Sequence, residues 1–136
     1  MQTEQNRRLI YQVLQKIDHG NLSVFDEMFA IDYLAHLPPN PPMDRMAHKQ
    51  NIAAMRSAIP DLTHEIVEQI AEQDKVVTHC FICGTHQGEL NGMAATGNEI
   101  RCLAINIMRI HKGRVAEYWG VADMLTFLEQ LKNKVN

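Results

Sequence analysis

The chain has 136 residues, 46% of them apolar and 21% charged, a globular composition and a length that suits one domain with a real core. Its formal net charge of −3 gives no whole-molecule attraction for phosphate backbones or anionic lipid, which argues against nucleic acid and membrane surfaces as partners. The opening run MQTEQNRRLIYQ lacks the apolar segment of a secretory signal. The most apolar stretch, Ile100 to Ile110, carries Arg101, Asn106 and Arg109 and is too short and polar to span a bilayer. Three cysteines, an odd number set in apolar runs, read as reduced thiols, so the expected compartment is the cytoplasm.

No internal repeat or linker divides the chain, so a single domain over 1–136 is expected. In chain order, the first element is an amphipathic helix from Glu4 to His19. Leu9, Ile10, Val13, Leu14 and Ile17 form one stripe, Thr3 can cap the start and Gly20 can end it. A short second helix follows Ser23 and buries Phe25, Met28 and Phe29. Leu37-Pro38-Pro39-Asn40-Pro41-Pro42 excludes regular helix or central strand, because each ring removes an amide donor. A third helix runs from Asp44 to Ala58, with Ile52, Met55 and Ile59 on one side, and Pro60 stops it.

From Thr63 the apolar period switches to two. The pattern predicts strands over Thr63–Ala71, Lys75–His86, Glu99–His111 and Arg114–Val121, then a closing helix over Met124–Lys132. Helices followed by an antiparallel meander make an α+β fold, with helices packed on one face of a curved sheet. The long strand is apolar on both faces, and the helices can cover only one. The Leu103-Ile105-Ile107 face therefore calls for a second cover, and a homodimer is the expected partner. The Cys102-Ala104-Asn106-Met108 face mixes small side chains with one amide. It reads either as a cavity wall or as core with the amide satisfied by nearby backbone.

The set Ala58-Ile59-Pro60-Asp61-Leu62, Ile70 to Val77, Gly84-Thr85-His86-Gln87-Gly88-Glu89, Thr96-Gly97, Glu117-Tyr118-Trp119, Asp123 and Gln130-Leu131 resembles the SnoaL-like polyketide cyclase (ester cyclase) family over nearly the whole chain. The resemblance implies a nuclear-transport-factor-2-like cone: a curved antiparallel sheet wrapped around N-terminal helices, with a pocket at the open end. Characterised members of that family close rings by intramolecular aldol chemistry without metal, a mechanism not carried over to this chain, and relatives of the fold isomerise ketosteroids, open epoxides or only bind. The sequence departs from the cyclases in the pocket. The position of their acid/base aspartate, three residues before Asp123, is Gly120, their pocket histidine matches Asn106, and a glutamine matches Ala104.

With that aspartate missing, proton transfer needs another titratable group. His36, just before the proline loop, His79 on a strand and Asp123 just before the closing helix are the candidate catalytic residues, although Asp123 is also an obvious helix cap. His86, Asn106, Met108 and Tyr118 are the candidate substrate contacts, Tyr118 by sharing strand parity with Gly120. His19, His48, His64 and His111 are expected at the surface. His79-Cys80-x-x-Cys83-x-x-His86 has zinc-like spacing, but strand alternation splits the set between two faces, so no metal and no cofactor is expected. Two functions follow: a cyclase, isomerase or hydrolase acting on a small hydrophobic carbonyl or epoxide compound, or a dimeric module that binds a small apolar ligand without turnover.

Overall fold

The computed structural model describes residues 1–132. Helix α1 spans Gln2–Asp18 and buries Ile10, Val13, Leu14 and Ile17, the stripe its periodicity gives. It starts earlier than the sequence suggests: Met1 holds the cap position without a side-chain bond, and Thr3 lies inside the first turn. Gly20, at φ +79°, turns the chain out of the helix. Helix α2 is a single turn, Val24–Glu27, with Val24 and Phe25 buried.

The segment after it is a strand, β1, over Phe29–His36. It was not expected. β1 pairs with the two-residue strand β2, Met43–Asp44, and runs parallel to the last strand, Arg114–Ala122. Helix α3 follows at Arg45–Ala58, with the Asp44 carboxylate accepting from the Ala47 amide as its cap. Strands β3 (Thr63–Glu72), β4 (Lys75–Thr85), β5 (Glu99–His111) and β6 (Arg114–Ala122) form the antiparallel meander, and helix α4 closes the described chain at Met124–Lys132. The β5–β6 turn places both Lys112 and Gly113 in the left-handed region, the arrangement of a tight type I′ hairpin. The six strands form one curved, unclosed sheet in the order β2-β1-β6-β5-β4-β3.

The helices cover the inner face of this sheet, and the core there is split in two. One cluster joins α1, α2 and β1 to Val76, Met108, Ile110 and Val115. The other joins the end of α3 to Ile100, Cys102, Phe127 and Leu131. Among the described residues no helix is long and apolar enough to cross a membrane.

Candidate functional site

The break between the two clusters falls in the middle of β5. Ile100 and Cys102 belong to one cluster and Met108 and Ile110 to the other; Ala104 and Asn106, between them on the same face, belong to neither. Register extends the gap across the sheet. Thr78, Asn106 and Gly120 stand in one row, and Cys80, Ala104 and Ala122 in the next. On α3 the same gap lies between Ile52, which packs on the first cluster, and Met55, which packs on the second. A band of small and hydrogen-bonding side chains thus crosses the interior where large apolar ones would close it.

The polar groups in and beside this band have few partners. Gln69 donates to the Thr78 hydroxyl at 3.1 Å. Asn106 is buried, and its Oδ1 has no hydrogen bond among the described residues. Gly120 has no side chain to meet it, and the Tyr118 ring folds back along its own strand into that space. A Cβ at position 120 would lie 2.5 Å from the Tyr118 hydroxyl and 2.7 Å from Cζ. Burial pushes the Tyr118 phenol above its usual range, so the group is a neutral donor.

Beside Tyr118 is an aromatic group built from three elements. His48 on α3 stacks parallel to Tyr33 on β1, meets Phe25 edge-on, and has the Tyr118 ring 5.1 Å away. The Tyr33 hydroxyl and His48 Nδ1 are 2.7 Å apart, both residues buried. Desolvation lowers the His48 imidazole to about 4 and raises the Tyr33 phenol, so both are neutral near pH 7. His48 is therefore interior, a correction to its expected surface position. His64 also departs from that expectation: it lies half-buried against Asp18, its Nδ1 2.6 Å from a carboxylate oxygen.

The three candidate catalytic residues do not meet in this band. His36 shares the outer face with Trp119, on which it stacks at 5.5 Å, and its Nε2 is 2.7 Å from Glu117. Arg109 shares that carboxylate, and hydrogen bonds from His36 and Arg109 hold it below the usual range. An open cleft of about 230 Å³ lies between His36 and the proline loop, outside the sheet's inner face. His79 is also on the outer face, 3.1 Å from Glu68. Asp123 caps α4, accepting from the Thr126 amide at 3.1 Å and its hydroxyl at 2.6 Å.

Among the expected substrate contacts, Asn106 and Tyr118 stand in or beside the band, while Met108 is packed in the first core cluster. His86 is fully buried: its Nδ1 takes hydrogen bonds from Thr96, and its Nε2 has no partner among the described residues. It sits level with Asn98, however, roughly 26 Å along the strand from Asn106 at about 3.3 Å per residue, and cannot share a small ligand with it. Cys80 and His86 are buried, while His79 and Cys83 reach the outer-face carboxylates of Glu68 and Glu65. Among the described residues no three of His, Cys, Asp and Glu converge as metal ligands. Burial pushes the Cys80 and Cys102 thiols up to about 11, which removes them as thiolate nucleophiles near pH 7.

Sequence reasoning missed His48, Tyr33 and Thr78. For His48 a signal was present, because the stripe Ile52, Met55 and Ile59 extends one turn back to position 48 at helical spacing.

Solved structures share this architecture. IdmH, a candidate polyketide cyclase from Streptomyces antibioticus, is 28% identical with a TM-score of 0.85, covering 94% of this chain and 99% of its own. A candidate polyketide cyclase from Acidithiobacillus ferrooxidans is 23% identical with a TM-score of 0.86, over 96% of both chains. AclR, a candidate hydroxylase from Streptomyces galilaeus, is 24% identical with a TM-score of 0.88, over 95% of this chain and 96% of its own. No curated protein matches the chain. The SnoaL-like polyketide cyclase pattern matches residues 8–131, nearly the full length that carries both core clusters and the band between them. The chain belongs to the SnoaL-like polyketide cyclase family.

Proposed function

We propose that this protein is an enzyme acting on a small, largely apolar carbonyl compound held in the band between the two core clusters, by metal-free proton transfer and hydrogen bonding. The observation that carries this reading is the buried Asn106 Oδ1, without a hydrogen bond among the described residues, on a wall of small residues. An unsatisfied amide destabilises a core by about 1–3 kcal/mol, and a ligand hydroxyl in the band would satisfy it. The surrounding groups, Thr78, Tyr118 and His48, are neutral hydrogen-bonding side chains. They suit a neutral substrate whose carbonyl gains negative charge during reaction.

A second reading has its own support. The residue opposite Asn106 is Gly120, so that position offers no carboxylate to move a proton, which favours a module that binds an apolar ligand without turnover.

One experiment separates the two. The protein is incubated with carbonyl, ester and epoxide compounds carrying ring-forming or isomerisable groups, with products read by mass spectrometry and melting temperature read in parallel. Turnover that falls in Asn106→Leu supports the enzyme. Ligands that raise the melting temperature but are never converted replace it with the binding module. Asn106→Leu itself is expected to raise stability by about 1 kcal/mol, because an apolar side chain removes the unsatisfied amide.

A further inference from the structure

The hydrogen bond from Tyr33 fixes the tautomer of His48. The Tyr33 hydroxyl is buried, and its one hydrogen bond among the described residues is to His48 Nδ1. A buried phenol must donate its proton to avoid losing a hydrogen bond, and among the described residues Nδ1 is its hydrogen-bond partner. Tyr33 O–H therefore donates, Nδ1 accepts, and a neutral imidazole so held carries its proton on Nε2. The rings packed on His48 from the neighbouring elements are those of Phe25, Tyr33 and Tyr118, and none is charged. Nε2, the other ring nitrogen, has no hydrogen bond among the described residues.

We propose that His48 is a substrate-contacting residue of this site: a neutral imidazole locked in the Nε2–H tautomer by Tyr33, donating a hydrogen bond to the substrate oxygen that becomes an oxyanion. This assignment rests on the band being the binding site. The proton stays on Nε2 throughout. A neutral imidazole N–H is too weak an acid to give its proton away at neutral pH, so it stabilises negative charge without being consumed by it. Tyr33 is the positioning residue. It touches no substrate and acts by deciding which nitrogen is the donor. The pair thus supplies a donor that needs no carboxylate at position 120.

Two measurements test this. Long-range proton–nitrogen spectra of the ¹⁵N-labelled protein are expected to show His48 as the Nε2–H tautomer at neutral pH. Tyr33→Phe, which removes one oxygen and leaves the ring, is expected to release it to a mixture of tautomers. An Nδ1–H tautomer or an imidazolium in the unaltered protein overturns the proposal. The second measurement compares binding of 4-nitrophenolate, an oxyanion probe, with 4-nitroanisole, its neutral methyl ether. The unaltered protein is expected to prefer the phenolate, and His48→Leu to lose that preference by roughly 10–100-fold, the range of a hydrogen bond to a charged group, while still binding the ether. Tyr33→Phe, the milder change, is expected to lose part of it. If His48→Leu keeps the full preference, the role of His48 falls and the band remains the site. If neither probe binds the unaltered protein, the site itself falls and this assignment with it.

Discussion

His48 ties stability to pH in a direction its burial dictates. In the unfolded chain an imidazole titrates near 6.5, while in the fold it is held down to about 4. Between those values the unfolded chain binds a proton that the folded chain refuses. Stability from this residue is therefore intact above the upper value and declines as pH falls toward the lower one, by about 3 kcal/mol at most. Urea titrations over that interval are expected to show the decline, and His48→Leu is expected to flatten it. A second coupling at this scale joins Tyr118 to Gly120. Because any Cβ at position 120 would sit 2.5 Å from the phenol oxygen, Gly120→Ala must displace the ring and is expected to cost about 1–3 kcal/mol. In a Tyr118→Ala background the same change is expected to be nearly free, an interaction that a double-mutant cycle of thermal unfolding measures. The candidate site was half legible at this scale. Asn106 and Tyr118 follow from strand parity, whereas His36 and His79 took the opposite parity, which fixes their outward direction once register is known.

Element by element, the sequence marks well what local periodicity controls. The ends of β5 and α4 fall where the alternation and the final helical stripe put them, and α3 ends before Pro60 as expected. β1 escaped for a physical reason. Its buried residues are Phe29, Tyr33 and Ala35, with Ile31 87% exposed, because the register shifts between Phe29 and Leu34. The shift breaks the period of two, and its main partner, β6, is distant in sequence. Tyr33 was lost with the strand, and the Tyr33–His48 pair with Tyr33. Asp123 belongs to this scale as well. Both carboxylate oxygens are engaged with Thr126 at the start of α4, and those bonds hold the group below the usual carboxylate range. Asp123→Ala is expected to lower stability by about 1 kcal/mol and to leave turnover, once a substrate is in hand, at the unaltered rate. A collapse of rate with the melting temperature preserved would return Asp123 to the reaction.

At the level of the whole molecule, the helices spend their apolar surface on one face of the sheet and leave the other bare. Ile107 and Trp119 stand side by side there, Ile105 and Val121 form the next row, and Leu103 extends it. In the isolated chain Ile105 is 40% and Val121 61% exposed, and Ile70 on β3 57%. The patch is bounded by charge: the Arg101–Glu65 pair lies at one margin and the Arg109–Glu117–His36 group at another. A contiguous apolar patch with a polar rim is the pattern of an association surface. The simplest closed arrangement is two copies related by a two-fold axis, each presenting the same face. Sedimentation at micromolar concentration is expected to give twice the chain mass. Placing like charges at the centre of the patch, as Ile105→Lys with Val121→Lys, is expected to give a folded monomer, because each added ammonium would face its own copy across the axis in a desolvated contact. A monomer from the unaltered chain would mean that this face serves some other partner, and the two-fold arrangement would be withdrawn.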